Sequence, residues 1–139
     1  RGRYPDAYHP KPGEMMTFIL SLEYTREEIH AQCGGSLQSY LPHKAGVVVV
    51  ACLDPALNPQ APLVILCGNG PGIRQAGDLL AQQAAPIPVF IKRTAHRWVY
   101  QGRFQVATSF TDPADCAPYV AGSGRDPATI SRVIRLNLV

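Results

Sequence analysis

The strongest pattern along the chain is an alternation of hydrophobic and polar side chains between residues 97 and 108. One parity is mainly aromatic and hydrophobic, and consists of Trp98, Tyr100, Phe104, Val106 and Thr108. The other parity is mainly polar, and includes Gln101, Arg103 and Gln105. A period of two residues is typical of a strand with one buried face. Gly102 lies in the middle of this stretch and predicts a β-bulge or a tight bend.

Continuous hydrophobic runs predict further strands. The runs at 46–53 and 63–67 are rich in Val, Ile and Leu, as is usual for strands that are covered on both faces. Shorter stretches at 15–22, 89–92 and 130–139 also have the length and patterning of strands. Together these stretches predict about six strands.

Two segments have helical signals. Thr25 and Glu28 form the S/T-x-x-E pattern of a capping box, which predicts a helix over about 26–33 that ends at the glycines 34 and 35. The glycine-rich turn at 68–72 precedes hydrophobic residues at helical spacing, which predicts a second helix that ends before Pro86. Residues 112–127 are rich in Pro, Gly and Asp and predict a loop. Six strands with two helices indicate the α+β class.

The chain has the length of one domain preceded by a short arm. Pro5, Pro10 and Pro12 predict an extended arm or linker over residues 1–13, and residues 14–139 then form a single domain. The sequence begins with Arg1 and shows no signal peptide, so we expect a longer or processed chain with a neighbouring domain. The longest hydrophobic stretch, 47–53, is far too short for a transmembrane helix, so we expect no membrane partner.

The charge of the chain indicates a class of partner, and its cysteine content indicates a compartment. The net charge is +3, and residues 92–135 contain seven Lys or Arg against three Asp. This concentration of basic charge is compatible with an anionic partner such as nucleic acid. The four cysteines lack C-x-x-C spacing, which predicts free thiols in a reducing, cytoplasmic compartment.

The common motifs of enzymes do not occur in the sequence. It has no H-E-x-x-H, G-x-S-x-G or phosphate-loop motif, and its four histidines lack metal-ligand spacing. The turn at 68–72 could hold an anion at a helix N-terminus, but Ile73 breaks the dinucleotide-binding spacing. We therefore interpret Asn69 as a helix cap and predict no catalytic residue, no metal and no cofactor.

The segment 90–104 has the composition of a nucleic-acid site. Trp98 and Tyr100 predict a platform on which a base could stack. Strand parity predicts that both aromatic rings point away from the arginines of the same strand. In the alternative interpretation, the aromatic residues form the inner face of a small barrel and the arginines its solvated face. The basic residues, which predict phosphate contacts, are Lys92, Arg93, Arg97 and Arg103.

The loop at 34–42 predicts a second wall of a binding pocket. Its glycines permit the close approach of another backbone. Gln38 could read a base edge through paired hydrogen bonds, and Tyr40 could stack on a base. A packed surface loop with a buried Tyr40 is the alternative.

Several of these motifs together resemble modules found beside HNH nucleases in modification-dependent restriction systems. The motifs are residues 24–30 with Gly34-Gly35-Ser36-x-Gln38, then 86–93, then Trp98-x-Tyr100-x-Gly102-x-Phe104. Over residues 15–110 the chain is similar to PUA-like readers related to SRA (SET-and-RING-associated) and EVE domains. The run at 122–126, Gly-Ser-Gly-Arg-Asp, is similar to a Gly-Arg-Asp run of SRA domains, but its neighbouring residues depart from that pattern.

The resemblance implies a fold and a function. The fold is a small mixed β-barrel of about six strands with two flanking helices. The function is non-catalytic: the domain binds double-stranded DNA, flips a modified, cytosine-derived base into a pocket, and so targets a nuclease domain. The pocket residues would be Trp98, Tyr100, Tyr40 and Gln38. An RNA-binding PUA-like module and an enzyme without a recognisable motif are the alternatives.

Overall fold

The computed structural model describes residues 17–139. These residues form a central β-sheet with helices on both faces. The secondary structure consists of β1 (Glu23–Tyr24), α1 (Arg26–Cys33), β2 (His43–Lys44), β3 (Val47–Val48), β4 (Ala51–Leu53), β5 (Val64–Gly68), α2 (Pro71–Ala81), β6 (Ile87–Thr94), β7 (Arg97–Phe110), α3 (Pro113–Val120), a short 3-10 helix (Pro127–Thr129) and β8 (Ile130–Leu138). The predicted α+β class is confirmed. The predicted arm at 1–13 lies outside the described residues.

The main sheet is open and mostly antiparallel. Its strand order is β4-β6-β7-β8-β5, with β1 added beside β7. The β4–β6 pair is parallel, and the other pairs named here are antiparallel. The strands β4 and β5 end this order and do not pair with each other within residues 17–139. A closed barrel, as the resemblance implied, is therefore not observed. The strands β2 and β3 form a separate hairpin.

The helix predicted over about 26–33 is confirmed as α1, whereas the cap predicted for the second helix was wrong. Thr25 Oγ1 accepts a hydrogen bond from the Glu28 amide at 3.1 Å, and Glu28 Oε1 accepts one from the Thr25 amide at 2.8 Å. This pair of hydrogen bonds confirms the capping box. Gly70, and not Asn69, is the N-cap of α2, while the Asn69 side chain donates to the Ala128 carbonyl. None of the described helices has the length and hydrophobicity needed to cross a bilayer.

Two predictions about irregular segments were wrong. The loop predicted at 112–127 contains α3, because Asp112 accepts from the Ala114 amide at 2.8 Å and proline occupies the first helical position. The strand predicted at 15–22 is not found over its described part, 17–22, and the first strand begins at Glu23.

The bulge predicted at Gly102 is confirmed, and it divides β7 between two hydrophobic clusters. Tyr100 pairs with Phe90 whereas Gly102 pairs with Val89, so one extra residue is inserted in β7. The side chains therefore change face at this point. Trp98 and Tyr100 pack with α1 on one face, and Phe104 packs with α2 on the other. A third cluster joins α3 to β5 and β8.

Replacing Gly102 with alanine should lower stability. Its φ of +112° is disfavoured for any residue with a Cβ atom, and that atom would lie 3.0 Å from Leu138 Cδ1. We expect Gly102→Ala to lower the free energy of unfolding by about 1–3 kcal/mol in urea denaturation. Gly72→Ala is the control, because that position in α2 has an ordinary φ and open space around the new methyl group. Equal stabilities of the two variants would contradict the strain at the bulge.

Candidate functional site

A cleft of about 780 Å³ opens beside the unpaired edges of β4 and β5. Its walls come from eight parts of the chain: the start of α1, the loop at 36–40, His43 of β2, the end of β4 with the loop to Asn58, Leu66 and Gly68 of β5, the first turns of α2, the β6–β7 hairpin and Arg125. These segments are far apart in sequence. The cleft exists because the sheet does not close into a barrel at this point.

Four of the eight predicted site residues line this cleft. They are Gln38, Tyr40, Lys92 and Trp98. The other four lie outside its lining, and they are Tyr100, Arg93, Arg97 and Arg103. The loop predicted at 34–42 and the segment predicted at 90–104 therefore each contribute residues to one common space.

Trp98 is both a core residue and a wall of the cleft. It is 8% exposed and packs in the cluster beneath α1. Arg26 lies over its ring with the guanidinium carbon 5.3 Å from the centroid, and Lys92 Nζ lies 5.8 Å from the same centroid. The indole N–H is buried and has no hydrogen-bond partner among the residues that the structure describes. A buried tryptophan normally satisfies this donor, so the site is unusual for a purely structural residue.

Tyr100 belongs to the core instead of the cleft. Its ring lies 5.2 Å from Phe90 and 5.5 Å from Phe18, centroid to centroid, within a cluster that also includes Tyr24. Burial raises the pKa of its hydroxyl, and the nearby Arg103 opposes this shift. Tyr100 is therefore a packed core residue, as in the alternative interpretation of the sequence, although its side chain lies on the same face of β7 as that of Trp98.

Tyr40 contributes a fixed ring to the cleft. Its hydroxyl donates to the Ile73 carbonyl at 2.6 Å, and its own carbonyl accepts from the Cys52 amide at 2.8 Å. Burial raises the pKa of this hydroxyl well above its usual range, and the neighbouring Cys67 adds to the shift. Since the hydroxyl is bonded to the backbone of α2, the ring face is the part of Tyr40 that a ligand could use.

Gln38 sits on a loop that Arg26 holds in place. The Arg26 guanidinium donates to the carbonyls of Ser36 at 3.2 Å and Ser39 at 2.8 Å while it also lies over Trp98. Ser36 Oγ accepts from the amides of residues 38 and 39, which closes a tight turn. The Gln38 side chain is exposed at this turn, where it can donate or accept.

The charged lining of the cleft is mainly basic. Arg26, Lys92 and Arg125 line it together with one carboxylate, Asp54. Lys92 Nζ lies 3.8 Å from Asp54 Oδ2, and Arg125 donates to the Leu57 carbonyl at 2.8 Å. Sequence patterns indicated no binding role for Arg26 or Asp54. Arg125 lies in the glycine-rich run at 122–126, which was not predicted to be part of the pocket.

The remaining predicted cations lie on other surfaces. Arg93 pairs with Glu23, and Arg103 donates to the Pro86 carbonyl at 3.3 Å. The parity argument is wrong for Arg103, because the bulge places it on the same face of the sheet as Tyr100. Its influence on the pKa values of Tyr100 and Cys33 agrees with this position. Arg97 begins β7 at the hairpin and is partly buried.

The cysteines are poorly suited to nucleophilic chemistry. All four are free and buried. Burial raises the pKa of Cys33 and Cys52 to about 12 and that of Cys67 to about 11, and it also raises the pKa of Cys116. The thiolate is therefore disfavoured at each position. Among the described residues, no three His, Cys, Asp or Glu side chains are grouped as metal ligands.

The chain belongs to the family described as Domain of unknown function (DUF6697), whose model matches residues 23–115 and so covers more than half of it. The matched range contains the residues named above as walls of the cleft except Arg125. No curated protein and no solved structure matches the chain.

Removing the Arg26 guanidinium should loosen the loop at 36–40. Hydrogen bonds from a charged donor contribute about 1.5–3 kcal/mol each when fully formed, so we expect Arg26→Ala to lower the free energy of unfolding by about 1–3 kcal/mol. Amide hydrogen exchange of residues 36–42 should accelerate more than that of β8. Arg74→Ala, at an exposed arginine of α2, is the control and should change stability by less than about 0.5 kcal/mol. Unchanged exchange in the loop would contradict the anchoring role.

Proposed function

We propose that this domain is a PUA-like reader that binds double-stranded DNA and accepts one flipped-out, modified, cytosine-derived base in the cleft. The observation that carries the proposal is the convergence of Trp98, Tyr40, Gln38 and Lys92 on one cleft. A base reader needs ring faces for stacking, polar groups for the base edge and cations for the backbone. These four residues, from two distant segments, supply all three.

The size and composition of the cleft suit a single base. Its volume of about 780 Å³ lies within the range of roughly 300–1,000 Å³ that small-molecule pockets occupy. Apolar side chains such as Leu57, Leu66 and Ile73 line it together with the polar groups. A base that leaves the duplex would exchange stacking on its neighbours for contacts with these apolar and aromatic surfaces.

Stacking on Trp98 requires one of its covering cations to move. Arg26 is held by two carbonyls, whereas Lys92 is partly exposed and paired with Asp54 at 3.8 Å. An exposed ion pair is worth roughly 0–1 kcal/mol, so Lys92 can leave at little cost. We expect its ammonium group to turn from the ring face to the border of the cleft while a base takes its place beside the indole. There it would face the phosphate of the flipped nucleotide and remain close enough to attract a charged group on the base.

A second groove extends from the cleft along the hairpin. It has a volume of about 380 Å³ and is lined by residues 54–56 and 92–95. Lys92 borders both spaces, so a strand whose base enters the cleft could pass its phosphates along this groove. Arg93 lies in the groove, and Arg97 lies across the hairpin turn from it. Arg103, on the face of Tyr100, would contact the backbone farther along.

The domain would act within a larger protein. The resemblance to modules beside HNH nucleases suggests a nuclease as the neighbouring domain and a cytoplasmic location. The reader itself would be non-catalytic, in line with the high pKa values of its thiols. An RNA-binding module is the competing possibility, and the binding experiment below contains an arm for it.

Trp98 offers a direct test because it is the single tryptophan of the chain. We expect its fluorescence to be quenched by a duplex with one modified cytosine and much less by the plain duplex. In a parallel assay with labelled DNA, Trp98→Leu should lose most of its preference, since base stacking is worth roughly 1–3 kcal/mol per base. Trp98→Phe keeps an aromatic ring face and should retain more of the preference. Tighter binding of structured RNA than of any duplex would favour the competing function. Unchanged preference in a folded Trp98→Leu variant would contradict the stacking role.

The phosphate contacts make a separate prediction. We expect Arg97→Ala to weaken binding to all duplexes by a similar factor and to reduce the salt dependence by about one phosphate contact. Arg93→Ala should have the smaller effect, because Arg93 must first leave Glu23. Affinity measured at several salt concentrations gives the salt dependence of each variant. A changed preference for the modified base with an unchanged salt slope would show that the arginine reads the base instead.

A further inference from the structure

The cleft has a chemical bias that bears on which modified base it would accept. Within residues 17–139, its charged lining consists of Arg26, Lys92 and Arg125 against Asp54, a net excess of positive charge. Asp54 is itself partly engaged, because its Oδ1 accepts from the Ala56 amide at 2.9 Å. A partly enclosed site with this imbalance favours a ligand group that carries negative charge.

Asn58 adds a buried hydrogen-bond donor to this lining. Its side chain is almost fully buried, at 3% exposure. The Leu66 amide donates to Asn58 Oδ1 at 2.8 Å, which fixes the orientation of the side-chain amide and leaves Nδ2 as the donor. Within residues 17–139 the acceptor found for Nδ2 is the Asp54 carbonyl at 3.5 Å, the outer limit of a hydrogen bond. Nδ2 therefore has capacity for a better acceptor.

The indole N–H of Trp98 is a second donor of this kind. It belongs to a residue that lines the cleft, and it has no partner in the described part of the chain. Buried donors without acceptors are costly and are usually satisfied in native structures. The movement of Lys92 that stacking requires would also open the surroundings of this ring. Both under-used groups are donors, so they call for acceptors on the ligand.

We infer that the cleft selects a base whose substituent bears an oxo or carboxylate group, such as 5-carboxylcytosine, over a base that carries only a methyl group. This inference rests on the proposed function and names the class of modification. A carboxylate supplies negative charge to Lys92 and Arg125 and acceptors to Asn58 Nδ2. A methyl group offers neither, so Asn58 Nδ2 would keep only its long contact with the Asp54 carbonyl.

The experiment compares four duplexes of one sequence that carry cytosine, 5-methylcytosine, 5-formylcytosine or 5-carboxylcytosine at one position. We expect the carboxyl duplex to bind about tenfold more tightly than the methyl duplex, which corresponds to roughly 1.4 kcal/mol. The formyl duplex should be intermediate, because it supplies an acceptor without charge. Measurement at two salt concentrations separates this preference from general phosphate binding, which all four duplexes share.

Variants test whether the preference arises in the cleft. Lys92→Gln and Arg125→Gln should each reduce the ratio of carboxyl to methyl affinity by about fivefold, as expected for loss of a nearby opposite charge. Arg135→Gln removes the same charge from an exposed position of β8 outside the cleft, and should leave the ratio unchanged. Asn58→Asp keeps an acceptor for the Leu66 amide but replaces the donor with a carboxylate, and should abolish the preference. A melting curve confirms that each variant is folded.

The outcomes separate this inference from the function on which it rests. Equal affinity for the methyl and carboxyl duplexes, both tighter than plain DNA, would overturn the inference and leave the proposed function standing. No preference for any modified duplex would overturn both. A carboxyl preference that survives Lys92→Gln and Arg125→Gln would show that the selection is made elsewhere, and would overturn the assignment to this cleft.

Discussion

The extra residue in β7 is the constraint on which the arrangement of the site depends. A 14-residue strand without a bulge would present all its large side chains of one parity to one face. The insertion at Gly102 lets one strand serve two cores, so that Trp98 faces α1 while Phe104 faces α2. The hairpin end of β7 is thereby turned toward the loop that Arg26 anchors. The cleft lies where these two features meet.

Local sequence signals were sufficient for the elements and insufficient for their arrangement. The capping box at Thr25 and the glycine in β7 act through neighbouring atoms, and both predictions were confirmed. The closed barrel was not, because closure depends on pairing between β4 and β5, which the sequence pattern does not encode. The α3 helix was missed because a segment rich in Pro, Gly and Asp resembles a loop, although Asp112 and Pro113 also form a good helix start.

The site was predictable to the extent that its residues share a segment. Trp98 and Lys92 are cross-strand partners in one hairpin, so their proximity follows from strand pairing. Arg26, Asn58 and Arg125 reach the cleft through long side chains or buried loops, and no periodicity indicates such contacts. The parity argument was wrong at Arg103 because the bulge at Gly102, although it was predicted, reverses the face on which the later side chains of β7 lie.

The core role of Trp98 does not exclude the binding role that we propose for it. Its low exposure and its packing with α1 are those of a core residue, and loss of such a side chain typically costs about 3–5 kcal/mol. Its indole N–H, which has no partner within residues 17–139, and the two cations over its ring are not needed for that role. Departures of this kind from a satisfied, well-packed environment are expected at functional sites. A tryptophan that the core fixes on one side can contact a ligand on the other side with little loss of side-chain entropy. This is a physical reason for one residue to stabilise the fold and also to line the proposed pocket.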